Sequence, residues 1–199
     1  GIGHSGKAYY EYFGERAGPA GLGYYWFHAG YWHITSLNSE ILNHTILEQA
    51  KREQAELVLL KRDLSAHAHR CNLVYFHRPM VSSGKFAAGR MRDFWEILYA
   101  EGVDVVLNGH EHFYERFSHQ NPRGERDEKH GLRQFIVGTG GAGFHQITQR
   151  AQNSQFFLPN ILGVIRLTLR PNDYLWEFVD IYGVRYDSGG DQCHSRPWR

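Results

Sequence analysis

The residues best suited to chemistry in this sequence are Gly109-His110-Glu111-His112, which follow the apolar run Val103-Asp104-Val105-Val106-Leu107. Residues i and i+2 of an extended segment face the same side, and Gly109 lets the chain turn sharply, so His110 and His112 can be presented together from a strand end. Two imidazoles so placed suit a metal ion, and zinc, iron and copper all accept that ligand. A His-x-His pair is equally compatible with two structural histidines satisfied by the backbone. His77 shifts the balance toward ligation: it ends a second apolar run, Cys71–Phe76, and Arg78-Pro79 follows at once, where proline stops the strand. The glycine cluster Gly138-Thr139-Gly140-Gly141-Ala142-Gly143 is read as a tight turn, since no Lys-Ser/Thr follows it as a phosphate loop requires.

Bringing His77 beside His110 requires two neighbouring parallel strands with a crossover between them. The sequence supplies one, because Met91, Phe94, Trp95 and Leu98 recur at helical spacing across 87–100 and Gly102 stands where a helix C-cap belongs. Strand, helix and strand form a βαβ unit, whose strand ends open on one sheet edge where ligands gather. Around this unit the text predicts a hairpin over 24–37 turning at Ala29-Gly30. It predicts a helix over 45–66, capped by Thr45, with Leu47, Ala50, Leu57, Val58, Leu60 and Leu64 as its apolar positions. A strand over 134–137 leads into the glycine cluster, and a second hairpin joins 161–169 to 174–181 across Pro171-Asn172-Asp173. The opening 23 residues read as loops with a short helix around 8–13, and the charged stretch 119–130 reads as a solvated loop.

At 199 residues the chain is long enough for a substantial core, and without an evident linker 1–199 is read as a single domain. Lys and Arg number 22 against 21 Asp and Glu, so the net charge of +1 supplies none of the positive field that nucleic-acid binding draws on. No dedicated nucleic-acid partner is expected. The longest aliphatic stretch, Leu57-Val58-Leu59-Leu60, is far short of the roughly 20 apolar residues that span a bilayer, so no membrane partner is expected either. A hydrophobic share of 42% excludes a disordered chain. Cys71 and Cys193 are too few for a disulfide scaffold and match no zinc spacing; they form one bridge or none. The chain opens on Gly rather than Met with no signal peptide in view, which leaves an N-terminus either processed or cut. Arg78, Arg90 and Arg116 carry no phosphate-binding assignment; Arg116 is expected to pair locally and Arg90 to be solvated.

Taken together, these segments resemble the calcineurin-like metallophosphoesterases, most closely their purple-acid-phosphatase-like branch. The resemblance rests on Trp32-His33-Ile34 leading to Ser36-Leu37-Asn38-Ser39-Glu40, on Val74-x-x-His77 with Arg78-Pro79 and Ser82-Ser83-Gly84, and on Asn108-Gly109-His110-Glu111-His112 with Tyr114-Glu115-Arg116. It continues through Val137-Gly138-Thr139-Gly140-Gly141-Ala142 to Asp187-Ser188-Gly189 and Cys193-His194, roughly residues 9–194. It implies an α/β (α+β) fold, an incomplete four-layer α/β/β/α sandwich with two metal ions between the carboxyl ends of the strands, their identity open among iron, zinc and manganese. By the same resemblance His77 and His110 bind the divalent metal and His112 the other, while Glu111 holds a variable position and no protein nucleophile is needed. Two such ions clamp a phosphoester, activate water near neutral pH and offset the charge of an in-line displacement. The family's branch is exported, which implies an extracytoplasmic protein.

The family's Gly-Asp-x-Gly, Gly-Asp-x-x-Tyr and Gly-Asn-His-Asp/Glu motifs, which supply the bridging aspartate and the remaining ligands, are not among these residues; the nearest remnant is Gly3-His4. The chain is therefore expected to be the C-terminal part of the catalytic domain, with a degenerate relative as the alternative. Three functional readings follow. The first is part of a metal-dependent phosphoester hydrolase, its substrate and oligomeric state open. The second is a non-catalytic binding module that contacts a partner through Tyr9, Tyr10, Tyr24 and Tyr25. The third is an independent zinc hydrolase with three histidines and an open water position.

Overall fold

Four short apolar segments make the parallel centre of the structure: β2 (Trp32–Ser36), β3 (Cys71–Phe76), β4 (Val105–Asn108) and β6 (Arg133–Val137). The computed structural model describes residues 6–19, 21–40, 46–68, 71–87, 89–147 and 149–194. β1 (Tyr25–Ala29) adds antiparallel to β2, and β5 (Tyr114–Phe117) and β7 (Ser154–Leu158) close the other side, for the order β1-β2-β3-β4-β6-β5-β7. A second sheet of three antiparallel strands, β8 (Gly163–Leu169), β9 (Asp173–Asp180) and β10 (Arg185–Gln192), lies over it.

Alternation along the central strands divides the core in two. Val74 and Val106, partners in the ladder, face the helices α2 (Ile46–Ala66) and α3 (Arg92–Ala100), where they meet Leu60, Leu64, Phe94, Trp95 and Leu98. The adjacent pair Leu73 and Val105 faces the second sheet and meets Tyr174, Trp176 and Phe178. Helix, sheet and sheet are three of the four layers expected; among the described residues no helix covers the outer face of the second sheet, where Val164 is 60% exposed. A short helix, α1 (Lys7–Phe13), precedes β1. No helix of the described residues is long and apolar enough to cross a membrane.

The helix over 45–66 forms as read, although Thr45 lies outside the described residues, as does the Leu47 side chain. The crossover helix begins at Arg92 after a 3-10 turn over Gly89–Met91, and Gly102 at φ 63° ends it. The following strand starts at Val105 rather than Val103, because the Val103 amide still bonds the helix at Leu98 O and the Asp104 carboxylate is spent on the backbone N–H groups of Asn72 and His194. Strands β5, β7 and β10 have no counterpart in the sequence reading. The stretch 119–130 is only partly the solvated loop expected. His119 is buried between Glu128 and Asp191, and the Gln120 side chain donates to Gln134 Oε1 inside the sheet. Cys71 and Cys193 form a disulfide that ties the start of β3 to the segment after β10.

Candidate metal centre

His77 follows the last residue of β3, and His110 stands two residues beyond β4. The Gly109 N–H donates to His77 O at 3.0 Å, so the two strand ends are stitched before any side chain is considered. His110 Nδ1 lies 3.0 Å from His77 Nε2, with the rings edge to face. Arg78 Nη1 donates to His110 Nε2 at 3.2 Å; a guanidinium cannot accept, so the His110 proton sits on Nδ1 and points at His77 Nε2. Both imidazoles are held below the ordinary histidine range, chiefly by partial burial, with Arg78 also lowering each of them. Neutral rings with converging nitrogens are the form a metal requires, and a 3.0 Å separation suits two ligands of one ion at about 2.0–2.1 Å per bond.

His112 stands two residues further along the loop. Its Nδ1 bonds the carbonyl of Gly143, which leaves Nε2 as its ligand nitrogen. The structure thus joins His77 directly to His110, while His112 is held by the Gly143 carbonyl and the His145 ring. Among the described residues the hydrogen-bond partners of these three rings include no carboxylate. Gly3-His4 lies outside the described residues.

Buried polar contacts help to position the loops, beside the apolar cluster that Phe113 forms with Val81 and Ile147. Asn108 Nδ2 donates to Phe76 O at 3.0 Å, and Gln134 Nε2 donates to Asn108 Oδ1 at 2.9 Å and to Val81 O at 3.0 Å, so amides cross-brace the ends of β3, β4 and β6. Glu115, fully buried, accepts from the backbone and hydroxyl of Ser83. Arg116 does not pair locally as expected; its guanidinium forks onto Asp187 at 2.8 and 3.1 Å, and Tyr114 and Trp176 donate to the same carboxylate. Asp187 is nearly buried and Arg116 only 14% exposed, so the guanidinium is paired where it leaves most of its water. Gly138 packs on the backbone between Glu111 and His112, where any Cβ would overlap the Glu111 carbonyl.

Three residues near the histidines escaped the sequence reading. Glu111 takes no ligand role but is fully buried: it accepts from the Phe86 N–H at 2.7 Å and pairs with His145 Nδ1 at 2.9 Å. His145 in turn stacks on His112, centroids 3.8 Å apart and planes 19° from parallel. Arg78, left unassigned, grips Glu40 through both carboxylate oxygens as well as touching His110. The spacing from Glu111 to His145 carries no signal, since their meeting depends on the turn at Gly138–Gly143. A cleft of about 480 Å³ lies elsewhere, between the β1–β2 hairpin and α2, and the three histidines do not line it.

No family model matches the chain, and no curated protein does. Among solved structures it is similar to a purple acid phosphatase from yellow lupin (Lupinus luteus) seeds, with a TM-score of 0.69 and 20% identity over 87% of this chain and 33% of that one. It is similar to GAP50, the anchor in the inner membrane complex of Plasmodium, with a TM-score of 0.67 and 16% identity over 87% of this chain and 54% of that one. PhoD follows with a TM-score of 0.53 and 15% identity, over 85% and 40%. The chain thus spans between a third and about half of the length of these structures. At such identities the likeness is one of fold, and the fold is of the metallophosphoesterase type.

Proposed function

We propose that this chain carries part of the binuclear metal site of a phosphoester hydrolase, with His77 Nε2 and His110 Nδ1 as ligands of one ion and His112 Nε2 as a ligand of the second. The observation that carries this reading is the 3.0 Å approach of the first two nitrogens from the ends of adjacent parallel strands. The ions, iron, zinc or manganese by family resemblance, would supply Lewis acidity toward the phosphoryl oxygens and toward an attacking water. The chain's own residues do the positioning. The Gly143 carbonyl fixes the His112 tautomer, the Glu111–His145 pair fixes its ring plane, and Gly109 lets the loop approach β3. An ion held at Nδ1 would require the His110 proton on Nε2, and Arg78 would then keep only its fork on Glu40. The single-domain reading, the C-terminal placement in the catalytic domain and the extracytoplasmic location belong to the same proposal.

The test is a Mn2+ titration of the 199-residue chain, followed by inorganic phosphate, with calorimetric readout. Mn2+ is expected to bind, to be lost in His77→Ala and in His110→Ala, and to be required for phosphate binding. Hydrolysis of p-nitrophenyl phosphate by this chain is expected to be slow or absent, because among the described residues the hydrogen-bond partners of these histidines include no carboxylate to bridge two ions. Unchanged Mn2+ affinity in both variants would overturn the reading.

One other reading is a non-catalytic module on this scaffold; one similar solved structure is described as an anchor. Of the tyrosines expected to form its contact surface, Tyr9 is exposed while Tyr10, Tyr24 and Tyr25 are half-buried; exposed Tyr12, Trp26 and Tyr31 would join Tyr9 there. Phosphate binding that ignores metal would favour it.

A further inference from the structure

A second group of histidines converges at the opposite end of the parallel strands. The β1–β2 ladder pairs His28 with His33, so their side chains share a face, and Trp26 and Thr35, two residues along, share it with them. Asp63 and His67, one helical turn apart at the end of α2, come down on that face. One ligand nitrogen each from His28, His33 and His67 lies within 4.8 Å of the others. The Asp63 carboxylate lies against two of the rings: one oxygen is 2.7 Å from His33 Nε2, the other 3.2 Å from His67 Nδ1, which also bonds the Asp63 main-chain carbonyl at 2.9 Å. His33 is wholly buried, and its Nδ1 has no hydrogen-bond partner among the described residues. An unanswered buried polar atom costs roughly 1–3 kcal/mol, so this one needs a reason.

We propose that His28, His33 and His67 bind a transition-metal dication of the zinc class, with Asp63 as the outer partner that orients two of the three rings. A carboxylate hydrogen-bonded to the far nitrogen of a ligating imidazole is the usual support of such sites, because it fixes the tautomer and raises ligand basicity. With Asp63 on His33 Nε2 and His67 Nδ1, the nitrogens left for an ion are His33 Nδ1, the orphaned atom, and His67 Nε2. Three imidazoles and one further position complete a tetrahedron. The His33 and His67 rings stack 4.1 Å apart and 14° from parallel, so their lone pairs run side by side. His67, one residue beyond α2, must swing for both to meet one ion. The site is remote from the proposed phosphoesterase ligands: His33 pairs with Asn72, five residues before His77, or roughly 16 Å at 3.3 Å per residue.

Co2+ added to the full chain is the probe, in a His110→Ala/His112→Ala background that disables the other candidate site. The readouts are the visible absorption of tetrahedral Co2+ and quenching of Trp26, whose ring centroid is 5.3 Å from that of His28 and 5.1 Å from that of His67. One Co2+ is expected to bind, to be displaced by Zn2+, and to quench a signal that disappears in Trp26→Phe. Asp63→Asn is expected to weaken Co2+ binding about 10–100-fold, and His28→Ala or His67→Gln by at least as much. His28 is exposed, so its variant leaves the core intact. Co2+ binding unchanged by both His28→Ala and His67→Gln overturns the proposal, as does no binding in a background protein folded by circular dichroism. Loss of Co2+ in the background alone, with wild-type affinity in His28→Ala, likewise overturns it while leaving the phosphoesterase reading standing.

Discussion

His110 has φ 65°, a left-handed conformation that a side chain with Cβ adopts at a cost of roughly 1–2 kcal/mol. The residue is held there because Gly109 is tied to His77 O and the Glu111 N–H to Gly109 O, so the turn is set by backbone bonds on both sides. Strain retained at a residue proposed as a ligand separates function from stability in a measurable way. His110→Gly and His110→Ala both remove the imidazole, yet the glycine variant is expected to be about 1 kcal/mol more stable in urea unfolding. Equal stabilities would mean that the turn relaxes when the imidazole is gone. At this scale the sequence made His77, His110 and His112 visible, since each stands beside a strand-ending signal. His145 and Glu111 were not visible as partners: a lone histidine in a glycine-rich loop and an acid between two histidines acquire their roles only when the turn at Gly138 brings them together.

Among the elements, those driven by apolar runs were legible and those driven by polar pairing were not. β3 and β4 read as strands because Cys71–Phe76 and Val105–Leu107 bury both faces. β10, RYDSGGDQ, reads as a loop; it is a strand because β9 pairs along it and because Gly189 lets Trp176 lie flat against it, where any side chain would overlap the indole. The loop after β6 is equally exacting. Gly138→Ala is expected to cost about 1–3 kcal/mol and to abolish Mn2+ binding, because the Glu111–His112 backbone must move to admit a methyl group. A variant of wild-type stability with intact Mn2+ binding would show that the loop yields freely.

Helix α2 carries a pH dependence of its own. Glu56 is 1% exposed and accepts the Asn38 N–H at 2.7 Å, and burial pushes its carboxyl up to about 8. The folded chain therefore keeps this proton where the unfolded chain, titrating near 4.5, has lost it. The contribution to stability is full below pH 4.5, declines as pH rises, and is gone above the folded value of about 8. Thermal melts at pH 5 and pH 8 should show a smaller loss of Tm in Glu56→Gln than in the wild type. The same loss in both would place the titrating group elsewhere.

Over the whole molecule, the disulfide closes a long loop, joining Cys71 to Cys193 across 122 residues. A chain-entropy account assigns such a bridge about 4–5 kcal/mol, while removal of native disulfides typically costs 2–5 kcal/mol. The lower part of that range is expected here, because the same junction is held by hydrogen bonds that survive reduction. Asp104 accepts from the backbone of both Asn72 and His194, and the Cys193 N–H donates to Asn172 O at 2.8 Å. Cys71→Ala/Cys193→Ala should therefore unfold about 2–3 kcal/mol more easily in urea, with a Tm lower by on the order of 5–10 °C for a chain of this size. The bridge lies at the start of β3 and His77 beyond its end, so the variant should keep the Mn2+ affinity of the His77–His110 pair at a temperature where it is folded. A stability loss below about 1 kcal/mol would show that Asp104 alone closes the sandwich; loss of Mn2+ binding in the folded variant would show that β3 transmits the break along its length.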